Sequence, residues 1–292
     1  MKRTLVLIDD LYYQYGLRSK EEAGILCLPM LRPARPGLAV RAARKLELSV
    51  RAPWADRWLA PWMERIGECS QVILADAGNS FAVAGLIRER WPQKRLILWY
   101  RNLVQASQPP GQAPPGCEVW SFDPGDCRAY GLGYNPQFYV PSPACRAGAS
   151  GPWDAFFVGR DKGRRQLLAR MEAALQAQGC STRFCIAGVN SPRLTYAQVL
   201  QGIAGCRVLV DCKCSGQQGM TLRPLEALFY GKKLLTNDSR LAGEAFYHPD
   251  NIFIWGQDDP ARLGSFLHSA CRPVRPAILA QYGLERWVER FG

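Results

Sequence analysis

Short apolar segments alternate with longer amphipathic ones along most of the chain. In the first half, four apolar runs predict β-strands, namely Thr4–Ile8, Gln71–Ala75, Leu96–Trp99 and Glu118–Ser121. Polar and apolar residues are spaced as in α-helices in two segments between them, Asp56–Glu68 and Ser80–Arg90. Because the strands are apolar on both faces and are joined through helices, the pattern predicts an α/β fold with a parallel sheet covered on both sides.

The same alternation restarts in the second half of the chain. Its apolar runs predict five more strands, Ala155–Val158, Arg183–Ala187, Arg207–Asp211, Lys233–Thr236 and Ile252–Trp255. Its amphipathic segments predict five helices, Gly163–Gln178, Thr195–Ile203, Thr221–Tyr230, Asp259–Ser269 and Ile278–Phe291. Ligands of such sheets bind at the carboxyl ends of the strands, so the residues that follow each strand are the first candidates for a site.

The stretch 135–151 separates the two halves. Pro, Gly, Ala and Ser crowd together there without periodicity, which is typical of an interdomain linker. We therefore expect two Rossmann-like domains that face each other across a cleft. The predicted domains are residues 1–142, residues 143–270, and a C-terminal helix in 271–292 that packs back on the first domain.

Charge and composition narrow the range of partners. Lysine and arginine number 37 against 25 acidic residues, a net charge of +12 that suits anionic partners. A basic nucleic-acid-binding protein is one alternative, but the basic residues are scattered and form no zinc finger, RNA-recognition signature or compact block, so we expect no nucleic-acid partner. The nearby cysteines Cys206, Cys212 and Cys214 lack a metal-site spacing, and buried thiols are the simpler interpretation, with no metal.

No apolar run approaches the ~20 residues that cross a bilayer. The basic start, Met1-Lys2-Arg3, resembles the beginning of a signal peptide, but the apolar run Thr4–Ile8 is too short and ends at Asp9-Asp10. We therefore expect a cytoplasmic protein that can associate with the inner face of the membrane.

The segment after the predicted strand Arg207–Asp211 carries the sharpest chemical signal. A loop with Gly216 and Gly219 opens a helix near Thr221, and the first amides of a helix favour an anion. Arg223 and Glu226 are three residues apart and share a helix face. A guanidinium for phosphate oxygens and a carboxylate for ribose hydroxyls would together hold a nucleotide. A simple surface Arg–Glu pair explains the same spacing.

A second glycine-bearing turn follows the strand Ala155–Val158. Here Gly159 precedes Arg160, Lys162 and Arg164, which supply charge-assisted donors suited to a diphosphate. Basic residues after a strand are often merely solvated. Two such loops in one Rossmann-like unit make the nucleotide interpretation stronger than either loop does alone.

These motifs resemble the donor-binding domain of GT-B glycosyltransferases, in the large family related to glycogen synthase. Gly159-Arg160 and Lys162-Gly163 match that family's phosphate loop in a shortened form. The run 218–227 matches its Glu-Gly-Phe-Gly-x-x-x-x-Glu-Ala motif, and Gly231-Lys232 follow at a matching distance. The amino-acid sequence also resembles those of bacterial lipopolysaccharide-core and capsule glycosyltransferases. The resemblance covers residues 135–266, whereas the first half matches only in layout.

The resemblance implies roles for individual residues. Arg160 and Lys162 would contact the donor pyrophosphate, Glu226 the ribose, and the helix opening at Gly219–Thr221 would face the phosphates. Two residues differ from the family's motif. Gln218 occupies the place of the glutamate that contacts the transferred sugar, and Thr221 occupies the place of a glycine. The implied donor-binding set is Gly159, Arg160, Lys162, Arg164, Gln218, Gly219, Thr221, Arg223 and Glu226.

The expected reaction is sugar transfer from a nucleotide-diphosphate donor to a glycan or glycolipid acceptor, of lipopolysaccharide or capsule type. The chain contains no Asp-x-Asp motif, so a cationic loop and a helix N-terminus would stabilise the leaving diphosphate with no metal and no cofactor. Retaining members of the family that the chain resembles place a histidine near the sugar, and the first half of this chain has none, so the resemblance disfavours retention and leaves a carboxylate as the base for inversion. The candidates are Asp76, Asp10 and Asp9, of which Asp76 is favoured by the open turn after it. A degenerate GT-B domain that binds sugar nucleotide without transfer is the other alternative.

An aromatic series in the first half has two interpretations. Trp54, Trp58 and Trp62 recur every four residues, as in the buried stripe of a helix. Alternatively, the same rings form a surface for a sugar ring or for a membrane interface. Flanking cations suit an anionic lipid headgroup in that case: Arg35, Arg41, Arg44 and Arg51.

Overall fold

The computed structural model describes residues 3–8, 21–33, 37–142 and 151–292. It divides into two compact units. One unit is Met1–Pro136 together with Val288–Gly292, and the other is Gln137–Trp287. Asp9, Asp10 and Arg35 lie outside the described residues. The predicted boundary at 142/143 therefore falls inside the second unit, and the last five residues group with the first.

The first unit is built on a six-stranded parallel sheet in the order β2-β1-β3-β4-β5-β6. Its central strands are buried on both faces, as their continuous apolar sequences require. The strands are β1 Arg3–Leu7, β2 Ile25–Leu28, β3 Cys69–Ala75, β4 Arg95–Tyr100, β5 Glu118–Ser121 and β6 Gly133–Tyr134. The helices are α1 Leu38–Ser49, α2 Ser80–Arg90 and α3 Pro124–Tyr130.

The prediction of one helix over Asp56–Glu68 is wrong. Three 3₁₀ turns replace it, at Ala55–Trp58, Pro61–Glu64 and Ile66–Glu68. Pro61 has no N–H to donate to a preceding turn, and Ala60 before it is extended at φ −69° and ψ 168°. The tryptophans consequently do not share one helical face: Trp62 is buried and donates to the Met30 carbonyl (2.8 Å), whereas Trp54 is 58% exposed.

The second unit is a five-stranded parallel sheet in the order β11-β10-β9-β7-β8. All five predicted strands are present within one or two residues. They are β7 Ala155–Arg160, β8 Thr182–Ala187, β9 Val208–Asp211, β10 Lys233–Thr236 and β11 Ile252–Ile254. The helices are α4 Arg165–Ala177, α5 Tyr196–Ala204, α6 Leu222–Phe229, α7 Leu263–His268, α8 Pro276–Gln281 and α9 Leu284–Glu289.

Two predicted helices of this half are interrupted. The segment Asp259–Ser269 begins with a 3₁₀ turn, Pro260–Arg262, before α7. The tail predicted as one helix over Ile278–Phe291 breaks at Tyr282 and Gly283 into α8 and α9. Beyond α9, the Phe291 ring packs edge-on against Trp120 of the first unit (5.0 Å), and Arg95 donates to the Gly292 carbonyl (2.6 Å).

The predicted linker is not an exposed segment where it is described. Asn135, Phe138 and Tyr139 are all buried, and the Phe138 ring stacks on Trp287 at 4.3 Å between centroids. The hydroxyl of Tyr139 is hydrogen-bonded to those of Tyr196 (2.8 Å) and Tyr230 (3.0 Å). Residues 137–142 are thus part of the second unit's core. Their sequence lacks a helical or strand periodicity, so the pattern of apolar residues does not predict this burial.

Candidate functional site

The turn after β7 carries two exposed basic side chains, those of Arg160 and Lys162. Strand β7 continues through Gly159 and Arg160, which pair with Ile186 and Ala187 of β8. The chain then turns through Lys162 and Gly163, both in the left-handed region at φ 48° and 78°. Arg160 and Lys162 are exposed. Both residues therefore lie at the carboxyl end of β7, the strand next to the central strand β9.

Arg164 is held by the protein itself. Its Nε and Nη2 donate to the Arg160 carbonyl (3.2 and 3.0 Å), and its Nη1 donates to the Cys212 carbonyl after β9. Its guanidinium lies over the Phe157 ring. A Cβ at position 159 would meet Arg164 Nη2 at 2.7 Å, so Gly159 makes room for this arrangement. Arg164 therefore ties the β7 turn to the β9 loop, a structural role beside the ligand-binding one expected of it.

A buried carboxylate ends β9. Asp211 accepts hydrogen bonds from the hydroxyls of Thr221 (2.9 Å) and Thr236 (3.0 Å). Burial raises the pKa of Asp211, while the two hydroxyls and the nearby Arg223 and Arg164 act in the opposite direction. Sequence reasoning missed Asp211 as a site residue; the available signal was a carboxylate that closes an otherwise apolar strand.

Helix α6 begins beside Asp211 without a capping side chain. Its N-cap residue, Thr221, has the extended conformation of a cap but gives its hydroxyl to Asp211 instead of to the helix. The third helical residue is Pro224, which has no N–H and so leaves none unpaired. Gly219 is buried and Gln218 is exposed in the loop before the helix. The positive end of the α6 dipole thus lies at the carboxyl edge of the sheet.

Arg223 and Glu226 of α6 form a buried ion pair. The pair joins Arg223 Nη1 to Glu226 Oε2, and only 1% of Glu226 is exposed. Arg223 Nη2 also donates to the Val158 carbonyl of β7 (3.4 Å), and the Tyr196 hydroxyl donates to Glu226 Oε1 (3.4 Å). Burial raises the pKa of Glu226, and the charge of Arg223 lowers it. The simple surface pair considered from the sequence is excluded.

A second ion pair closes the edge of the sheet between β9 and β10. Lys213 pairs with Asp238, and the Lys213 amide donates to Asn237 Oδ1 (2.7 Å). Both charged side chains are largely buried, and burial lowers the pKa of Lys213. Arg240 then donates to the Gln217 carbonyl (3.2 Å), which anchors the loop before α6. No local pattern indicates a role for Lys213, because its partner Asp238 is 25 residues further along the chain.

Asp76 lies at the carboxyl end of β3 in the first unit. It is 6% exposed, and its Oδ1 accepts a hydrogen bond from the Ser107 hydroxyl (2.6 Å). Burial raises the pKa of Asp76, while Ser107 and the charge of Arg101 lower it. The next residues, Gly78 and Asn79, line a hollow of about 220 Å³. Asp76 is therefore a buried carboxylate and not a solvated turn residue, and the hollow is lined by the turn that follows it, not by Asp76 itself.

The first unit also carries an exposed apolar patch among cations. Of the twelve residues of α1 only Leu48 is buried. We define the α1 patch as the exposed side chains Leu38, Leu46, Val50 and Trp54. Arg41, Lys45 and Arg57 are exposed around it. None of the helices in the described part of the chain combines the length and apolarity that a membrane span needs.

The cysteines noted in the sequence are buried or half-buried thiols. Cys206 and Cys212 are buried and Cys214 is half-buried. Within residues 3–8, 21–33, 37–142 and 151–292, no three His, Cys, Asp or Glu side chains are grouped so that they could hold a metal ion.

Comparison with known proteins identifies the fold. No protein-family model and no curated sequence matches the chain. Among solved structures, sucrose-phosphate synthase from Thermosynechococcus elongatus matches 100% of this chain and 98% of its own, with TM-score 0.52 and 12% identity. AviGT4, a glycosyltransferase involved in avilamycin A biosynthesis, matches 99% and 96%, with TM-score 0.51 and 13% identity. The α/β class and the GT-B fold predicted from the sequence are confirmed.

Proposed function

We propose that the protein is a glycosyltransferase that takes a sugar from a nucleotide-diphosphate donor. One observation carries the proposal: Arg160, Lys162, the start of α6 and the Arg223–Glu226 pair all belong to the loops and helix that follow the adjacent strands β7 and β9. The fold is that of GT-B glycosyltransferases. In such sheets, ligands bind at this edge of the strands.

The leaving diphosphate is stabilised by fixed positive charge in this proposal. Arg160 and Lys162 are the exposed cations of the β7 turn, and the amino end of α6 adds the helix dipole. Donors aimed at the charge that develops on the leaving group lower the barrier most when they are positioned in advance. The anchoring of the turn by Arg164 provides that positioning, so the reaction proceeds without a divalent cation.

Glu226 binds the donor ribose in this proposal. Its carboxylate is buried and is already engaged by Arg223 and by the Tyr196 hydroxyl. A ribose diol reaches it only by replacing part of the contact with Arg223, which frees that guanidinium for the phosphates. The Tyr196 hydroxyl keeps the carboxylate in place during the exchange.

Asp76 takes the proton of the acceptor. The acceptor oxygen forms a bond to the anomeric carbon, the bond from that carbon to the diphosphate oxygen breaks, and the acceptor proton passes to Asp76. A general base works best when its pKa is near the operating pH, and the burial of Asp76 shifts its pKa in that direction. The turn two residues after Asp76, at Gly78 and Asn79, lines an open hollow, which supports approach of an acceptor to this end of β3.

The acceptor is a glycan or glycolipid, and the α1 patch holds the protein at an anionic membrane surface. Exposed apolar side chains in a segment that also exposes Arg41 and Lys45 suit the interface of such a bilayer. Sedimentation with phosphatidylglycerol vesicles tests this, with phosphatidylcholine vesicles and the variant Trp54→Ser as comparisons. Equal sedimentation with both lipids would remove the membrane from the proposal.

Nucleotide analogues test the donor site without altering the protein. We expect calorimetry to show that one ribonucleoside diphosphate of a uridine, guanosine, adenosine and cytidine panel binds about tenfold more tightly than its 2′-deoxy or 3′-deoxy analogue, as the loss of one charge-assisted hydrogen bond requires. In Glu226→Gln that preference should shrink. Equal affinity for ribose and deoxyribose forms in the wild type would overturn the role of Glu226.

A domain that binds sugar nucleotide without transfer is the second candidate. It is favoured by Gln218, which stands exposed where the related motif has an acidic residue. Slow donor hydrolysis in the absence of acceptor separates the two, because a transferase releases free sugar over hours and a binding-only domain leaves the donor intact.

A further inference from the structure

Two adjoining hollows lie at the opposite edge of the second unit's sheet from the donor residues. Both are lined by residues at the starts of strands. Lys232, just before β10, lines both hollows; Lys233 and Arg207, at the starts of β10 and β9, line the larger one, and Asn251, just before β11, lines the smaller one. The smaller hollow measures about 290 Å³ and the larger about 540 Å³. Gly231, Lys232 and Cys271 line both, so the two hollows are lobes of one cavity.

The smaller lobe has an apolar lining. It lies between α6 and the segment that follows α7, and apolar side chains make up most of its wall. They include Leu228, Leu234, Phe246, Ile252, Pro273 and Val274. A cavity of this size with aliphatic and aromatic walls fits a ring system or a short acyl chain.

The larger lobe carries positive charge that is not matched by carboxylates. Arg207 pairs with Asp154 (2.8 Å). Lys232 Nζ instead donates to the carbonyls of Ala204 (2.9 Å) and Cys206 (2.7 Å), and Lys233 Nζ to the Asp250 carbonyl and the Ser269 hydroxyl (2.8 Å).

Neither ammonium is at ion-pair distance from a carboxylate of the described residues. Lys233 is only 5% exposed and also lies over the Phe266 ring at 4.5 Å. Its hydrogen bonds go to neutral groups, and the Asp250 carboxylate, which pairs with Arg272, acts on Lys233 only from beyond ion-pair distance, so the loss of hydration is offset only in part. Burial accordingly lowers the pKa of Lys233. An anion in the larger lobe would supply the missing charge.

The wall of the cavity is fixed before any ligand enters. Asn251 makes a reciprocal pair of hydrogen bonds with Arg272, donating to its carbonyl (2.9 Å) and accepting from its amide (2.7 Å). Arg272 also pairs with Asp250 (2.6 Å). The segment that bears Cys271, Pro273 and Val274 is thereby held across the start of β11. A ligand that binds here does not have to order this segment, so binding carries a smaller entropic cost.

From this arrangement we infer that the cavity is a second ligand site, separate from the donor site, for a small amphiphilic anion. The apolar body of the ligand, a ring system or short acyl chain, occupies the lobe at Leu228 and Val274. Its anionic group lies in the other lobe beside Lys232 and Lys233. The inference is independent of the proposed transferase activity, because none of the donor residues contributes to the cavity wall.

A pair of dyes that differ in one charge tests the inference. The probes are 1-anilinonaphthalene-8-sulfonate and N-phenyl-1-naphthylamine, which share the aromatic body while only the first carries a sulfonate. We expect saturable fluorescence enhancement with one sulfonate dye per chain, at least about tenfold tighter than the neutral dye. Val274→Trp fills the apolar lobe and should weaken both dyes, whereas the surface variant Arg170→Met should bind them as the wild type does. Unaltered dye binding in Val274→Trp would overturn the inference.

Thiol labelling gives a readout that does not depend on a variant. Cys271 lines both lobes, whereas the half-buried Cys214 belongs to the loop before α6. With wild-type protein, the sulfonate dye should slow N-ethylmaleimide labelling of Cys271 in peptide mass spectrometry and leave Cys214 unchanged. Nucleoside diphosphates should not displace the dye. Equal protection of both thiols, or of neither, contradicts a site at this place.

Discussion

The carboxyl ends of the two sheets are built from different interactions. In residues 137–287, that edge holds buried charges in matched pairs, Arg223 with Glu226 and Lys213 with Asp238. In the first unit, Asp76 is buried against a neutral hydroxyl, that of Ser107. Burial shifts pKa values toward the neutral form at both edges. At Glu226 the paired Arg223 opposes this shift, whereas at Asp76 it is opposed by the Ser107 hydroxyl and by the charge of Arg101. The first kind of edge suits holding an anionic ligand, and the second suits moving a proton.

The largest predicted effect is the loss of sugar-transfer rate when Asp76 is replaced. Asp76→Asn keeps the shape and the hydrogen bond from Ser107 but cannot accept a proton, so transfer should fall by about 10²–10⁴-fold, the usual contribution of a general base. Donor affinity should not change. Asp126→Asn is the matched control, because Asp126 is also partly buried, has a raised pKa and accepts a hydrogen bond from a backbone amide. Equal rates in the two variants would remove Asp76 from the reaction.

Removing one partner of the buried Arg223–Glu226 pair should lower the free energy of unfolding. Glu226→Met leaves the Arg223 guanidinium buried and unpaired, which costs about 3–5 kcal/mol when one partner of such a pair is removed. Arg223→Met with Glu226→Met removes both charges and should recover most of that loss. Urea unfolding followed by circular dichroism measures the difference. A double variant that is no more stable than the single one would show that the buried charge of Arg223 is not what destabilises Glu226→Met.

A smaller loss of stability is predicted when the space that Arg164 occupies beside Gly159 is reduced. Gly159→Ala places a Cβ 2.7 Å from Arg164 Nη2 and 3.0 Å from Phe157. Displacing these groups should destabilise the second unit by about 1–3 kcal/mol, as overpacking does, and should weaken donor binding. Gly67→Ala is the control, since nothing lies within 4 Å of a Cβ there. Thermal unfolding of the two variants side by side gives the comparison.

The smallest predicted effect is a shift along the pH axis. Burial raises the pKa of Asp76 above its ordinary 3.8, and the hydroxyl of Ser107 opposes that shift. Because the base acts when ionised, the acid limb of the rate profile should lie above 3.8 and should move to higher pH in Ser107→Ala. An acid limb that stays in place would separate Asp76 from the observed titration.

The same burial predicts the sign of a stability change. A carboxyl group with a raised pKa in the folded state contributes stability that is fully present below the unfolded value and is lost as pH rises through the folded value. Wild type should therefore lose stability relative to Asp76→Asn as pH rises from below 3.8 through the raised pKa.

The sequence predicts the second unit better than the first, for physical reasons. Strands β7–β11 are uninterrupted apolar runs, and Arg223 with Glu226 is a local pair whose spacing is fixed by the helix. By contrast, the Asp76–Ser107 contact joins residues 31 apart, and the buried state of Asp211 depends on Thr221 and Thr236. The tryptophan spacing predicts one helix, but Pro61 overrides it. Periodicity reports local structure, and these features depend on packing.

Binding of nucleoside diphosphate in the presence of a metal chelator tests the central claim most directly. Calorimetry should compare wild type with Arg160→Met/Lys162→Met, and with the control Arg165→Met/Arg170→Met, whose arginines are exposed on α4. We predict that wild type and the control bind one diphosphate with the same affinity in chelator, and that the Arg160/Lys162 variant binds it at least about tenfold more weakly. Binding that disappears in chelator, or equal loss in both double variants, would contradict a diphosphate site made by Arg160 and Lys162.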